Sequence, residues 1–103
     1  MHFAILGSYC WTTEAERGRA FTLYGSWQPP SGVDMVAAFQ RCDGTGFVNI
    51  VRTDDPVGLL QSAASMQPYI RSEVIPLVSY DEGVPALRAI VDWAATVPGA
   101  ASA

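Results

Sequence analysis

The stretch VDMVAAFQRC-DGTG-FVNIVRT-DDP, Val33 to Pro56, decides the fold. Two runs rich in β-branched and aromatic residues flank Asp43-Gly44-Thr45-Gly46, where glycine admits positive φ. This reads as a hairpin of two strands, 33–42 and 47–53. Asp54-Asp55-Pro56 then opens a helix: Asp accepts from the free amides of the first turn, and Pro fits the first helical position. Leu59, Leu60, Ala63, Ala64 and Met66 or Gln67 carry that helix to Pro68, which closes it.

Working backwards, residues 2–11 (HFAILGSYCW) read as a strand. Thr13 and Glu16 stand at capping-box spacing, and Ala20, Phe21 and Tyr24 fall on one side of the helix that follows. Gly18 weakens this helix and Gly25 is expected to end it. Gln28-Pro29-Pro30-Ser31-Gly32 is a loop. Working forwards, Ile70 to Tyr80 is a fourth strand, and Pro76 inside it points to a sheet edge. Asp81 or Glu82 with Pro85 opens a last helix, over residues 82–96. Its seam is Val84, Leu87, Val91 and Ala94, widened by Ile90.

The order is β-α-β-β-α-β-α. Its first six elements match the split βαβ arrangement of α+β, ferredoxin-like domains, with helices on one sheet face and an extra C-terminal helix here. At 103 residues the chain is long enough for one domain, expected over 1–97 with a loose tail at 98–103.

Such a sheet should alternate apolar and polar residues. Here both parities are apolar: Phe3, Ile5 and Tyr9 against Ala4, Leu6 and Cys10; Met35, Ala37 and Phe39 against Val36 and Ala38. The other two strands behave alike. Helices cover one face only, so a second copy packed sheet on sheet is the expected cover, giving a homodimer.

Hydrophobic residues make up 50% of the chain and charged residues 16%, the opposite of a disordered composition. The net charge is −4, and the six cations, all arginine, are scattered. Nucleic acid, which needs a basic face, is a poor partner. No apolar run approaches the roughly 20 residues of a membrane span, and no cation precedes the apolar start as in a signal peptide. A cytoplasmic, reducing setting is expected. Cys10 and Cys42 would stand near the like ends of strands one apart, roughly 10 Å from each other, beyond the ~7 Å limit of a disulfide. They read as free, buried, inert thiols, since no cation stands near to activate them.

Gly32-Val33 after the Pro-containing loop, the hairpin into Phe47-Val48-Asn49-Ile50, the Asp54-Asp55-Pro56 start and Glu73-Val74-Ile75-Pro76-Leu77 together resemble a bacterial domain family of unknown function. That family lies in the dimeric α/β-barrel superfamily. The resemblance covers residues 2–80 and leaves the last helix as an addition. It implies the ferredoxin-like fold and a dimeric α/β barrel, and it implies no activity. The superfamily also holds cofactor-independent quinol monooxygenases, haem-degrading enzymes, chlorite dismutase-like enzymes and small-ligand sensors, an analogy at fold level only.

Candidate site residues are few. His2, the sole histidine, is either a haem ligand or base, or simply a polar residue at a strand end. One histidine makes no metal cluster, so neither metal nor cofactor is expected. Asn49 stands mid-strand among apolar neighbours; its amide either orients a ligand or bonds a neighbour. Tyr9, Trp11, Trp27, Phe39 and Tyr80 either line a cavity for a flat ligand or pack a core and an interface. Arg71 and Glu73 share a strand face and read as a surface ion pair. The ligand-binding candidates are therefore Asn49, Trp27, Tyr9 and His2. Three functions stay open: a binder of a small apolar or aromatic ligand between sheet and helices, a cofactor-independent monooxygenase or isomerase, and a structural subunit docking through its C-terminal helix.

Overall fold

The computed structural model describes residues 1–65 and 67–99. Strand β1 is His2–Tyr9 and helix α1 is Glu14–Ser26. Strands β2 and β3 are Asp34–Gln40 and Gly46–Arg52, and helix α2 is Pro56–Ala64. Strand β4 is Ile70–Leu77 and helix α3 is Tyr80–Ala95. The sheet order is β2-β3-β1-β4, every neighbouring pair antiparallel. This is the ferredoxin-like α+β arrangement with an added C-terminal helix. Pro76 does lie on an edge strand, where only one side of the backbone needs a partner.

Side-chain hydrogen bonds set the helix starts. Thr13 Oγ1 accepts from the Glu16 amide at 3.1 Å, and Glu16 Oε2 accepts from the Thr12 amide at 2.7 Å. The return arm of the capping box thus reaches one residue further back than the spacing alone implies. Asp55 Oδ1 accepts from the Val57 amide at 3.0 Å, with Pro56 at the first position of α2. Ser79, not Asp81 or Glu82, caps α3: its hydroxyl accepts from the Glu82 amide at 3.2 Å. Pro85 therefore lies inside the helix. Gly25 does not end α1, which runs to Ser26 and is capped by the amide of Trp27 bonding to the Tyr24 carbonyl. The part of α2 expected at Met66, and tail residues 100–103, lie outside the described residues.

Register sorts the two sheet faces. Ile5 pairs with Asn49 and Val74, and Phe3 with Val51 and Pro76. These residues share the helix-covered face, whose core is Ile5, Val33 and Val51, packed by Phe3, Met35, Phe47, Leu59 and Val74. Ala4 pairs with Ile50 and Ile75 on the open face. Strand β2 breaks the simple alternation. Its register shifts between Met35 and Ala37, so Met35 pairs with Val51 but Ala37 pairs with Ile50. The bulge at Val36 turns Ala37 and Phe39 to the open face and brings Ala38 and Gln40 to the helix side. Met35 does not share a face with Ala37 and Phe39.

Two glycines allow close approach where β1 meets β3. A Cβ on Gly7 would enter the Phe47 ring, and one on Gly46 would strike the Gly7 carbonyl. The Phe47 ring lies in the space that Gly7 leaves bare.

Helix α3 stands apart from the sheet. None of its residues is buried, and Leu87 and Trp93 are 68% and 62% exposed. The Cα radius of gyration is 18.5 Å, against about 13 Å for a compact chain of this length.

Candidate functional site

The sheet, α1, the loop after α1 and Ser62 of α2 line a half-open cavity of about 280 Å³. Ile5, Phe47 and Asn49 form its floor on the sheet, with Ser72 beyond them on β4. Phe21 and Tyr24 come down from α1, and Trp27 from the loop. Tyr9 lines the cavity at the end of β1. A broader, shallower depression on α1, touched by Arg19, Leu23 and Tyr69, lacks this enclosure.

The rings hold one another in place. Tyr24 meets Tyr9 and Phe47 edge-on, with ring centroids 6.2 Å and 6.4 Å apart. Trp11 stacks on Tyr9 at 4.5 Å and tilts against Phe21 at 5.6 Å. Offset and edge-to-face pairs of this kind suit the ring quadrupole. They tie α1 to the sheet by long side chains, which keeps the two backbones apart and leaves room between them.

Polar tips in the cavity fall into two groups. Some are already bonded within the protein. Tyr9 Oη donates to Gln40 Oε1 at 2.6 Å. Trp27 Nε1 donates to Ser65 Oγ at 2.9 Å, and Ser65 Oγ donates to the Ser62 carbonyl at 3.0 Å, which pins the loop to the end of α2. Others are not bonded. The Tyr24 hydroxyl is shut off from water and finds no partner among the described residues. Burial, with Tyr9 and Cys10 adding to it, pushes this phenol well above its ordinary pKa, so it keeps its proton. The Asn49 amide faces the same cavity and bonds to no protein group among the described residues.

Of the residues singled out from the sequence, Asn49, Trp27 and Tyr9 come together here, and Phe39, on the edge strand β2, reaches the same cavity. His2 does not: it is exposed at the far end of β1, opposite Arg52 and Leu77, on the other parity of the strand. Trp11 braces the cavity without lining it, and Tyr80 is 85% exposed at the start of α3. Tyr24 and Gln40 are additions. Tyr24 reads from the sequence as one more apolar helix position, and Gln40 reaches the cavity through the β2 bulge. Phe21 and Tyr24, three apart on one short helix, followed by Trp27, were the available signal.

Cys10 and Cys42 are free, as expected, but exposed rather than buried. The strands end at Tyr9 and Gln40, so both thiols fall in the connections beyond the core; Cys10 Sγ donates to the Pro68 carbonyl at 3.0 Å. Arg71 and Glu73 form no ion pair with each other among the described residues. The described residues hold no cluster of three or more His, Cys, Asp or Glu side chains that fits a metal ion. No helix is long and apolar enough to cross a membrane among them.

The open sheet face has an apolar centre and a charged rim. Leu6, Val48, Ile50, Ile75 and Leu77 are half-buried there and Phe39 is 62% exposed. Around them stand Arg71, Glu73 and the pair in which Arg52 Nη2 donates to Asp34 Oδ2 at 3.2 Å.

The chain belongs to a family of domains of unknown function, DUF3303, whose model matches residues 1–91. The match runs past residue 80 and takes in most of α3, so that helix is part of the family's own domain and not an appendage to it. No curated protein matches the chain.

Proposed function

We propose that this member of the family is a binding protein. It holds a small, flat, mostly apolar molecule between α1 and the sheet, and it works as a pair of identical chains joined through the open sheet face. The observation that carries the first part is the cavity of about 280 Å³ walled by Phe21, Trp27, Phe47 and Tyr9. An apolar pocket with a few polar groups is the usual form of a small-molecule site. Its size is roughly twice the ~150 Å³ in which an engineered apolar cavity admits benzene, so it suits one or two fused rings.

Pairing is supported by the open face. A contiguous apolar patch with a charged rim has the anatomy of an interface, and a soluble chain rarely leaves one in water. A sheet face meeting its own copy about a two-fold axis covers both at once, as in a dimeric α/β barrel.

A second reading rests on α3. Its seam of Leu87, Ile90, Val91 and Trp93 is exposed along the helix, which suits docking on another chain. Catalysis without a cofactor has less support, because among the described residues no imidazole, carboxylate, thiol or amine lines the cavity.

Native mass spectrometry of the purified protein, with naphthalene titrated by NMR, tests the binding site. Shifts confined to cavity residues such as Asn49 and the Trp27 indole are expected. No shift at near-saturating naphthalene would end the reading. Sedimentation velocity at micromolar concentration is expected to give the mass of two chains, and a single-chain mass would remove the pairing.

A further inference from the structure

Among the polar groups that line the cavity and bond to no protein group among the described residues are the Ser72 hydroxyl on β4 and two larger donors, Tyr24 and Asn49. The Tyr24 hydroxyl is closed to solvent and unbonded among the described residues. A buried hydroxyl without a partner is rare and costly, and native structures that keep one commonly have a use for it. The Asn49 amide stands on the sheet floor, likewise unbonded to protein among the described residues, while Tyr9 Oη is engaged by Gln40 and Trp27 Nε1 by Ser65. One group descends from the helix wall and the other rises from the strand. The ring of Phe47 links them, meeting Tyr24 edge-on at 6.4 Å and lying two residues from Asn49 on the same strand face.

Both groups offer protons. A neutral phenol has one O–H to give, and a side-chain amide has two N–H. Tyr24 stays protonated because burial disfavours the phenolate. Among the described residues no acidic, imidazole or cationic side chain lines the cavity, so an ionic ligand finds no counter-charge from them. The remaining walls are aromatic and suit a flat π-face. We infer that the ligand is a neutral, flat aromatic of one or two rings bearing a carbonyl-type oxygen, with that oxygen accepting from the Asn49 amide and, once the ligand has displaced the groups that close off the Tyr24 hydroxyl, from that hydroxyl as well. This rests on the cavity being a ligand site, as proposed above. It adds which atoms select the ligand: a ring system of the same size without the oxygen leaves both donors unpaired.

The test uses two bicyclic probes, coumarin, which carries a lactone carbonyl, and naphthalene, which carries none. Each is titrated by NMR into the wild-type protein, Tyr24→Phe and Asn49→Leu. Tyr24→Phe removes one oxygen and keeps the ring contacts, so it is the cleaner variant. Coumarin is expected to bind each variant roughly tenfold more weakly than the wild type, the value of one hydrogen bond at the upper end of its net range. Naphthalene is expected to bind all three alike. If Tyr24→Phe and Asn49→Leu leave coumarin within twofold of the wild type while both probes still shift cavity resonances, the polar anchor is wrong and the apolar site stands. If neither probe binds the wild type, the ligand site itself is wrong.

Discussion

Replacing Tyr24 by Phe should make the free protein more stable. The change deletes one oxygen that is closed to water and unbonded among the described residues, and keeps the ring that packs edge-on against Tyr9 and Phe47. Leaving a buried hydroxyl unpaired costs about 1–3 kcal/mol. We take the low end, because the hydroxyl adjoins a cavity and some relaxation is open to it; the variant then gains about 1 kcal/mol. For a domain of this length that raises Tm by about 4–8 °C. A calorimetric melt at pH 7 measures it directly. Alkaline pH supplies a second, independent reading. In the folded protein the phenol holds its proton above the ordinary value of 10.0, by burial first and then by Tyr9 and Cys10. Above about pH 10 the unfolded chain therefore binds fewer protons at this site than the native one does, and native stability falls. The contribution is whole below pH 10 and fades as pH climbs toward the folded-state pKa. Phe has no such loss, so the advantage of the variant should widen above pH 10. A lower Tm at pH 7, or a gap that narrows in alkali, would refute the picture of an enclosed, partnerless hydroxyl.

Other substitutions probe other parts of the molecule. Gly46→Ala drives a Cβ into the Gly7 carbonyl, backbone against backbone, and should cost more than about 3 kcal/mol, seen as a collapsed urea midpoint or insoluble protein. Asp43 accepts from the Thr45 hydroxyl at 2.6 Å and from its amide at 3.0 Å, and these bonds, with Arg41, hold its carboxyl below the ordinary 3.8. The hairpin therefore keeps this support above about pH 4 and loses it as pH falls through the depressed value. The Tm difference between wild type and Asp43→Ala should accordingly shrink between pH 6 and pH 3. Ser79→Ala removes the cap of α3, typically worth ~1 kcal/mol, and should lower the ellipticity at 222 nm. Ile50→Glu places a charge in the apolar centre of the open face and should convert a two-chain mass to a one-chain mass in sedimentation, without unfolding the sheet.

Much of the architecture was legible because local chemistry and global pattern agree. Asp43-Gly44-Thr45-Gly46 between two apolar runs admits little besides a hairpin, and Asp55-Pro56 opens α2 with the bond its side chain predicts. Element ends were less legible. Gly25 looked like a terminator, yet α1 continues to Ser26, because glycine lowers helix stability without forbidding the next turn. The bulge at Val36 carries no signature in composition, so the two sides of β2 were sorted wrongly beyond Met35. That slip grouped Met35 with Ala37 and Phe39, whereas its register partner Val51 puts it on the opposite, helix-covered face. Asn49, Trp27 and Tyr9 stood out as polar or amphipathic groups in apolar settings. Tyr24 did not, because a tyrosine at a core helix position looks ordinary until its hydroxyl is seen to lack a partner. His2 drew notice as a titratable rarity, but rarity says nothing of which end or face of a strand a residue occupies.

The outstretched C-terminal helix changes how a lone chain would behave in a sizing experiment. A radius of gyration of 18.5 Å belongs, for a compact globule, to roughly 270 residues. Passed through a sieving column, one copy of 103 residues would elute ahead of compact standards of its own mass. Early elution is thus what a single copy already delivers, and stoichiometry has to be weighed by scattering or sedimentation instead of being timed by migration.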